Sequence, residues 1–191
     1  YIAINKKSWN KRTAYHVDSD FYDMDAFKAG ETSLNSIELS LLGDVKNKRI
    51  LHLQCHFGQD SLSLARMGAK VTGIDLSDKA IITAKELNDE LNLDAEFIVS
   101  DVYDLPNNLQ GKFDIVYTSY GVIGWLPDMT KWGIIISQFL KSNGKLVFVE
   151  FHPNVWMYDD DFKSVKYNYF KADPIVEEEQ GTYADKDAQV E

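Results

Sequence analysis

The sequence predicts a single α/β domain in which helices flank a parallel sheet. From residue 50 to 151, short β-branched runs alternate with amphipathic stretches, which is the pattern of strands joined by crossover helices. The 191 residues and 45% hydrophobic content suit the core of one domain rather than two. The sequence contains no internal repeat and no linker that would divide it.

Five strands are predicted, at residues 49–53, 70–74, 96–99, 113–118 and 145–151. A helix is predicted at 60–67, where Gly68 suits a left-handed stop. Ser77 is a good N-cap, and apolar residues follow it at helical spacing, namely Ile81, Ala84, Leu87 and Leu91. Another helix, at 128–140, is expected to end at Asn143-Gly144 before the fifth strand.

The segments on either side of the sheet are less regular. Residues 33–42 are expected to form a helix on the sheet or over a pocket, with one apolar face made by Leu34, Ile37, Leu41 and Leu42. Aromatic residues are scattered through residues 1–32 without one clean period, and we interpret this segment as a cap. Residues 33–155 then form the core, and 156–191 an irregular acidic extension. In that extension Val165, Tyr167 and Tyr169 alternate as in an exposed antiparallel strand.

Composition narrows the possible partners and location. The net charge of -10 disfavours nucleic acid as a partner, because the average surface field repels phosphate. No run reaches the ~20 apolar residues of a membrane span, and the first residues lack the apolar core of a secretory signal. With the single Cys55 no internal disulfide can form, so we expect a cytoplasmic protein. Because the first residue is Tyr1 rather than Met, we also expect the natural chain to start earlier.

The loop after the first predicted strand, LHLQCHFGQDS, argues against a dinucleotide cofactor. A pyrophosphate needs close approach to the backbone and hence three glycines, whereas this loop has only Gly58. His52, Cys55 and His56 could suggest a metal site, but their spacing matches no common zinc signature. We therefore expect no bound metal and a buried, structural Cys55.

The stretch LHLQCHFGQDSLSLARMGAKVTGIDLS resembles a subgroup of the class I S-adenosylmethionine-dependent methyltransferases with an altered glycine motif. His52 takes the place of the family's acidic residue, Gln54 and His56 replace two glycines, and Gly58 keeps the last. The resemblance covers roughly residues 30 to 155 and implies a Rossmann-like fold that binds S-adenosylmethionine. The family's sheet has seven strands, so we expect this chain to lack the final antiparallel strands. Either the natural protein continues beyond Glu191 and supplies them, or residues 155–191 and a partner chain cover the edge of the fifth strand.

The resemblance also implies residues for the cofactor. Asp75 follows the second strand, where the family's acid accepts hydrogen bonds from the ribose hydroxyls, with Leu76 beside it. Asp101 follows the third strand, where an acid accepts from the adenine amino group and the Val102 N–H faces the ring. The structural alternatives are that Asp75 caps the next helix and that Asp101 stabilises its own turn.

The remaining cofactor contacts are expected around the reacting methyl group. Gln54, His56 and Gly58 would line the cofactor from the first loop, and Ser119 from the end of the fourth strand. We expect the N-terminal segment to close over the cofactor, with Trp9 or Tyr15 among its contacts.

On the acceptor side, Thr118, Ser119 and Tyr120 are expected to emerge beside the sulfonium. Trp125 either lines the acceptor pocket with Tyr120 or packs in the core. Transfer from a sulfonium needs no catalytic residue, but a base helps a hydroxyl acceptor. His152 and Tyr120 are the candidates, with Glu150 a further choice, although the favoured interpretation of His152 is that it bonds the loop backbone before Pro153.

The sequence thus predicts methyl transfer to a small-molecule acceptor, with residues 156–191 part of the acceptor-side cap. Two alternatives come from other classes. One is a non-catalytic module that binds S-adenosylmethionine or S-adenosylhomocysteine, and the other is a nicotinamide oxidoreductase, which would need the glycine-rich turn that this loop lacks.

Overall fold

The computed structural model describes residues 1–159, 161–170 and 181–190. Its centre is a five-stranded sheet in the order β3-β2-β1-β4-β5, with all four pairings parallel. The strands are β1 (Arg49–Leu53), β2 (Lys70–Asp75), β3 (Glu96–Val99), β4 (Phe113–Ser119) and β5 (Leu140–Val149). The predicted fold class is therefore confirmed.

Seven α-helices are described: α1 (Ile2–Val17), α2 (Met24–Ala29), α3 (Ser36–Leu42), α4 (Gln59–Arg66), α5 (Asp78–Glu90), α6 (Leu105–Asn108) and α7 (Met129–Phe139). They cover both faces of the sheet, as a parallel sheet requires. On one face Leu51, Val116 and Trp132 belong to the cluster around α7. On the other, Ile50 and Tyr117 pack with the residues of α3 and α4.

Local signals set the helix ends next to the site. The Ser77 hydroxyl accepts a hydrogen bond from the Ala80 N–H at 3.1 Å, so it is the N-cap predicted for α5. Asp128 caps α7 in the same way, accepting from the Lys131 N–H at 2.8 Å. Each cap satisfies a backbone donor that has no partner inside its helix.

The N-terminal segment contains a helix that the sequence pattern did not predict. α1 runs through residues whose apolar side chains do not share one face, and Ile4 is 72% exposed. Polar contacts attach α1 to the start of α5. The Asn10 side chain accepts from the Ser77 hydroxyl at 2.6 Å and donates to Asp78 at 3.0 Å. Because these contacts are polar, they leave no periodic pattern of apolar residues in the sequence, and the helix was not predicted.

The predicted apolar face of α3 is wrong at two positions. Ile37 and Leu41 are 56% and 49% exposed, whereas Glu38 is 1% exposed and lies on the buried side with Leu42. The helix also begins later than predicted, at Ser36. Residues four apart share a helix face, so burying Leu42 also buries Glu38.

β5 begins at Leu140, directly after α7, and not after the Asn143-Gly144 pair. Phe113 pairs with Leu140 but Ile115 with Lys145, so extra residues form an irregularity in which Asn143 has a φ of 65°. The predicted helix 128–140 is therefore one residue too long at its C-terminal end. The Asn143-Gly144 pair lies in the strand irregularity and does not end the helix.

The segment after β5 has little regular structure in the described residues. Val165 forms an isolated antiparallel bridge with Tyr158, and no further strand follows within 161–170 or 181–190. The acidic extension predicted for 156–191 lies partly outside the described residues, at 160, 171–180 and 191. Within the described part of the chain, no helix has the length and apolar character needed to cross a bilayer.

Candidate active site at the carboxyl edge of the sheet

The loops that follow β1, β2, β3 and β4 meet at the carboxyl edge of the sheet. β1 is the central strand, paired with β2 on one side and with β4 on the other. In open α/β sheets ligands bind at such a point, where the chain connections leave in opposite directions. The sheet order therefore places the candidate site beside the loop after β1.

The loop after β1 has left-handed backbone at three alternate residues. The φ angles are 55° at Gln54, 52° at His56 and 84° at Gly58. These are the three positions at which the resembling family has glycines, and two of them carry side chains here. A Cβ on Gly58 would lie 2.7 Å from the Phe97 ring, so that position also requires glycine for space. The loop conformation is thus kept at a strain cost of about 1 to 2 kcal/mol per non-glycine residue.

Asp75 ends β2 and faces this loop. Its Oδ2 accepts a hydrogen bond from the His56 N–H at 2.8 Å, and its Oδ1 accepts from the Ser77 N–H at 2.8 Å. Burial raises the pKa of Asp75, while these backbone donors act in the opposite direction. Each carboxylate oxygen keeps a second lone pair for a ligand hydroxyl.

Gln54 connects the loops after β1 and β4. Its Nε2 donates to the Val122 carbonyl at 3.2 Å. Its Oε1 is buried and has no hydrogen-bond partner among the described residues. A buried acceptor without a partner is costly, so this oxygen indicates a place for a ligand donor.

The His56 ring fastens α1 to the loop. His56 Nδ1 accepts from the Phe57 N–H at 2.8 Å, and Nε2 lies 2.9 Å from His16 Nδ1. Burial, and then the nearby His16, lower the pKa of His56 to about 3. Both ring nitrogens of His56 therefore have protein partners, and His56 contacts Asp75 through its backbone N–H.

Trp9 brings the N-terminal helix next to the acceptor side. Its ring centroid is 5.4 Å from that of His56 and 5.3 Å from that of Trp125, both with edge-to-face geometry. Trp125 is half-buried and lies in a turn after β4. The two tryptophans thus connect the loops after β1 and β4. This is the position expected for a residue of the predicted N-terminal cap.

The loop after β3 holds the second acid. Asp101 is half-buried, and its Oδ1 accepts from the Tyr103 N–H at 3.0 Å, so the turn-stabilising role considered above is present. Val102 is 4% exposed and Leu76 is half-buried. The backbone hydrogen bond from Ser100 to the Asp75 carbonyl, at 2.9 Å, holds the two loops side by side.

Asp60 is a site residue that the sequence did not single out. One of its carboxylate oxygens accepts from the Tyr117 hydroxyl at 3.0 Å and the Ser119 hydroxyl at 3.2 Å, and the other from the Ser33 hydroxyl at 2.6 Å. Its only sequence signal is an acid in the first turn of a helix, which usually reports helix stability. Thr118, expected to emerge beside the sulfonium, is instead fully buried.

The three candidate bases differ in their surroundings. His152 is exposed, and its Nδ1 accepts from the Asn154 N–H at 3.2 Å, as expected for a residue that caps a loop. The Glu150 carboxylate accepts from several backbone N–H groups, those of Gly121 at 2.6 Å and Val122 at 2.9 Å among them. Tyr120 is half-buried at the end of β4.

His52 is buried, with its Nδ1 2.7 Å from the Ser61 hydroxyl, and burial lowers its pKa to about 4. Cys55 is likewise buried, and burial raises the pKa of its thiol. The described residues contain no group of three or more His, Cys, Asp or Glu side chains that could hold a metal ion.

The sheet order, the left-handed loop and the acid that ends the neighbouring strand define a Rossmann-like α/β domain with its ligand site at the carboxyl edge. Residues 50–144 match the family model of a methyltransferase domain. The chain belongs to the class I S-adenosylmethionine-dependent methyltransferases.

Relatives agree with this membership. The chain is 31% identical over 129 residues to a ubiquinone biosynthesis O-methyltransferase of Xanthomonas oryzae pv. oryzae, an alignment covering 66% of this chain and 54% of that protein. An S-adenosylmethionine-dependent methyltransferase from Mesorhizobium loti superposes with a TM-score of 0.56 at 25% identity, over 68% of this chain and 58% of the other. The chain spans about half the length of the Xanthomonas relative.

A second solved structure supports the fold alone. A TehB-like S-adenosylmethionine-dependent methyltransferase from Corynebacterium glutamicum has a TM-score of 0.56 at 21% identity, over 71% of this chain and 72% of that one. S-adenosylmethionine is the methyl donor of the family, which agrees with the cofactor that the sequence implied.

Proposed function

We propose that this domain binds S-adenosylmethionine across the carboxyl ends of β1, β2 and β3 and transfers its methyl group to a small molecule by in-line displacement. The observation that carries the proposal is the loop after β1. Gln54, His56 and Gly58 keep left-handed backbone although only one of them is glycine. Since this conformation is strained for two of the three residues, a binding role accounts for its retention.

Two polar groups fit the ends of the cofactor. The unpartnered Gln54 Oε1 suits the methionine ammonium, which has three donors and no acceptor. Asp75 suits the ribose, because both of its oxygens are held in place by backbone N–H groups and retain free lone pairs. His56 contributes through its backbone, by orienting that carboxylate.

The adenine would lie between the loops after β2 and β3. Leu76 and Val102 provide apolar contact, the Asp101 carboxylate an acceptor for the amino group, and the Val102 N–H a donor to the ring. On the other side of the sulfur, Ser119 lies at the end of β4, where its hydroxyl donates to Asp60.

When bound, the cofactor supplies a methyl group on a positively charged sulfur that is an excellent leaving group. The chain's own task is then to orient the reactants and to exclude water. Trp9 and Trp125 contribute aromatic surface next to the loop after β1, which suits a cationic sulfonium. Residues 1–32 would act as the cofactor-side cap and 156–191 as part of the acceptor-side cap.

The comparisons favour methyl transfer over a binding module without activity and over a nicotinamide enzyme. The Xanthomonas relative is named for an O-methylation in ubiquinone biosynthesis, which supports a small-molecule acceptor. The acidic net charge supports the absence of a nucleic acid partner, and a cytoplasmic location stays a prediction from the sequence.

Calorimetric titration with S-adenosylmethionine and S-adenosylhomocysteine tests the proposal. Asp75→Ala should weaken binding by about 1.5 to 3 kcal/mol, the usual range for a hydrogen bond to a charged group. Asp89→Ala, an exposed acid near the end of α5, is the matched control and should bind normally. Absence of binding to either compound by the folded protein would refute the cofactor assignment.

A further inference from the structure

The carboxylate of Asp60 binds two hydroxyl groups through one of its oxygens. Oδ2 accepts from the Tyr117 hydroxyl at 3.0 Å and from the Ser119 hydroxyl at 3.2 Å. The Ser33 hydroxyl donates to the other oxygen at 2.6 Å. A carboxylate has acceptors and no donor, so both protons on Oδ2 must come from the hydroxyl groups. The proton of Ser119 is therefore directed at Asp60.

The direction of the Ser119 hydrogen bond decides how a ligand can interact with this residue. A serine hydroxyl has one proton and two lone pairs. Because Asp60 takes the proton, the Ser119 oxygen can accept a hydrogen bond from a ligand but cannot donate one. Tyr117 is fully buried, whereas Ser119 is half-buried and ends β4. Ser119 is thus the member of this pair that a ligand can reach.

Gln54 provides a second acceptor at the same edge of the sheet. His52 of β1 pairs with Tyr117 of the parallel strand β4. Two residues further along, Gln54 and Ser119 are therefore neighbours at the carboxyl edge. Gln54 Nε2 donates to the Val122 carbonyl at 3.2 Å, and Oε1 is buried without a partner among the described residues. Two residues whose oxygens can only accept from a ligand thus lie side by side.

One group at the methionine end of S-adenosylmethionine suits two such acceptors. The carboxylate has only acceptors, and the sulfonium carries no N–H or O–H group. The ammonium has three donors and no acceptor. The proposed function assigns the donors of ribose and adenine to Asp75 and Asp101, which lie on the other side of β1 from Ser119. The ammonium is therefore the donor group that remains for this side.

We propose that Asp60 is a positioning residue that fixes the Ser119 hydroxyl as an acceptor for the methionine ammonium of the cofactor, an inference that rests on the proposed function. Ser119 and Gln54 bind the same ammonium, and Asp60 acts through Ser119 without touching the ligand. Removal of Asp60 deprives the neighbouring Tyr117 hydroxyl of its acceptor. That hydroxyl can then donate to the Ser119 oxygen and compete with the ammonium.

Calorimetric titration with two ligands that differ by one group tests this role. The ligands are S-adenosylhomocysteine and its desamino analogue, in which hydrogen replaces the amino group. The wild-type protein should prefer S-adenosylhomocysteine by about 100-fold, and Ser119→Ala should reduce this preference by about 10-fold, the effect of one hydrogen bond to a charged group. The preference is a ratio of dissociation constants, so partial unfolding of a variant affects both ligands equally and leaves the ratio unchanged.

Asp60 is then tested in two backgrounds. Asp60→Ala should reduce the preference by about 10-fold in the wild-type protein but by less than about 2-fold in the Ser119→Ala protein, because its effect passes through Ser119. Ser33→Ala is the matched control, since it removes a hydroxyl from the other oxygen of the same carboxylate. This variant should retain the wild-type preference within about 2-fold.

Several outcomes would overturn the inference. One is equal affinity of the wild-type protein for the two ligands, and another is an unchanged preference in Ser119→Ala. An equal loss from Asp60→Ala in both backgrounds would show that Asp60 does not act through Ser119. A loss in Ser33→Ala as large as that in Ser119→Ala would show that the Ser119 oxygen has no special role. Failure of the wild-type protein to bind S-adenosylmethionine or S-adenosylhomocysteine would instead refute the proposed function.

Discussion

His16 Nδ1 lies 2.9 Å from His56 Nε2, and this contact ties the N-terminal helix to the loop after β1. The Phe57 N–H donates to the other nitrogen of His56, so the neutral His56 ring must carry its proton on Nε2 and donate it to His16. His16 in turn carries its proton on Nε2, which is buried without a partner among the described residues. Both rings must be neutral for this chain of hydrogen bonds to exist.

Acid should therefore destabilise the fold well above the pH at which most carboxylates titrate. Burial is the main cause that lowers the pKa of His16 to about 4, of His56 to about 3 and of His52 to about 4. An unfolded histidine binds its proton near pH 6.5, so below this pH the unfolded state holds more protons and is favoured. The stabilisation is complete above pH 6.5 and is lost as the pH falls towards 4.

Each buried histidine should contribute up to about 1.4 kcal/mol per pH unit to this loss. Denaturant unfolding at pH 7, 6 and 5 measures the slope directly. His56→Gln and His52→Gln should each give a shallower slope than the wild-type protein. Equal slopes in all three proteins would show that these rings are not buried in the neutral form.

Trp9 should contribute to cofactor affinity through the loop after β1. Trp9→Ala removes the ring contacts to His56 and Trp125 and should weaken S-adenosylmethionine binding by about 1 to 3 kcal/mol, since each aromatic pair contributes about 0.5 to 1.5. Trp9→Phe should retain part of the affinity. Tyr15→Ala serves as the comparison on the same helix, and a larger effect there would reverse the assignment of the contact.

Asp60 accepts hydrogen bonds from three hydroxyl groups, one of which belongs to the buried Tyr117. The contributions of Asp60 and Tyr117 to stability should therefore be coupled. Asp60→Ala leaves the hydroxyl of Tyr117, a fully buried residue, without its acceptor and should cost about 2 to 3 kcal/mol of unfolding free energy. Adding Tyr117→Phe removes the stranded hydroxyl, so the double variant should lose less than the sum of the single ones, by about 1 to 2 kcal/mol. Additive losses would indicate that the two groups do not interact.

The left-handed backbone of the loop can be tested by comparing glycine with alanine at one position. At Gln54, where φ is 55°, glycine should be more stable than alanine by about 1 kcal/mol. At Ala14, an exposed position in α1, the order should reverse, with glycine less stable by a similar amount. If Gln54→Ala proves the more stable variant in denaturant unfolding, the loop does not have this conformation.

The sheet was predictable because its signals are local and repeated. The predicted bounds of β1 and β3 are those observed, and Ser77 and Asp128 cap the helices that follow them in the chain. Buried strands and N-caps depend on residues a few positions apart, which a sequence displays directly. The early start of β5 was not predicted, because it depends on the pairing of Leu140 with Phe113, a residue far away in the sequence.

The positions of candidate site residues were predictable only where a residue type has one usual place in the fold, and their roles toward the cofactor stay predictions. Asp75 ends the second strand and Asp101 follows the third, at the carboxyl ends where the pattern placed them. The burial of Glu38 gave no such signal, because a charged residue in a short helix normally faces solvent. It results from the packing of α3 against the sheet, and that is tertiary information.

Glu150 makes the geometry of the acceptor side depend on β5. Its carboxylate follows that strand and holds the N–H groups of Gly121 and Val122 in the loop after β4. Val122 also accepts a hydrogen bond from Gln54 in the loop after β1, at 3.2 Å. A displacement of Glu150 therefore reaches both halves of the candidate site through one residue.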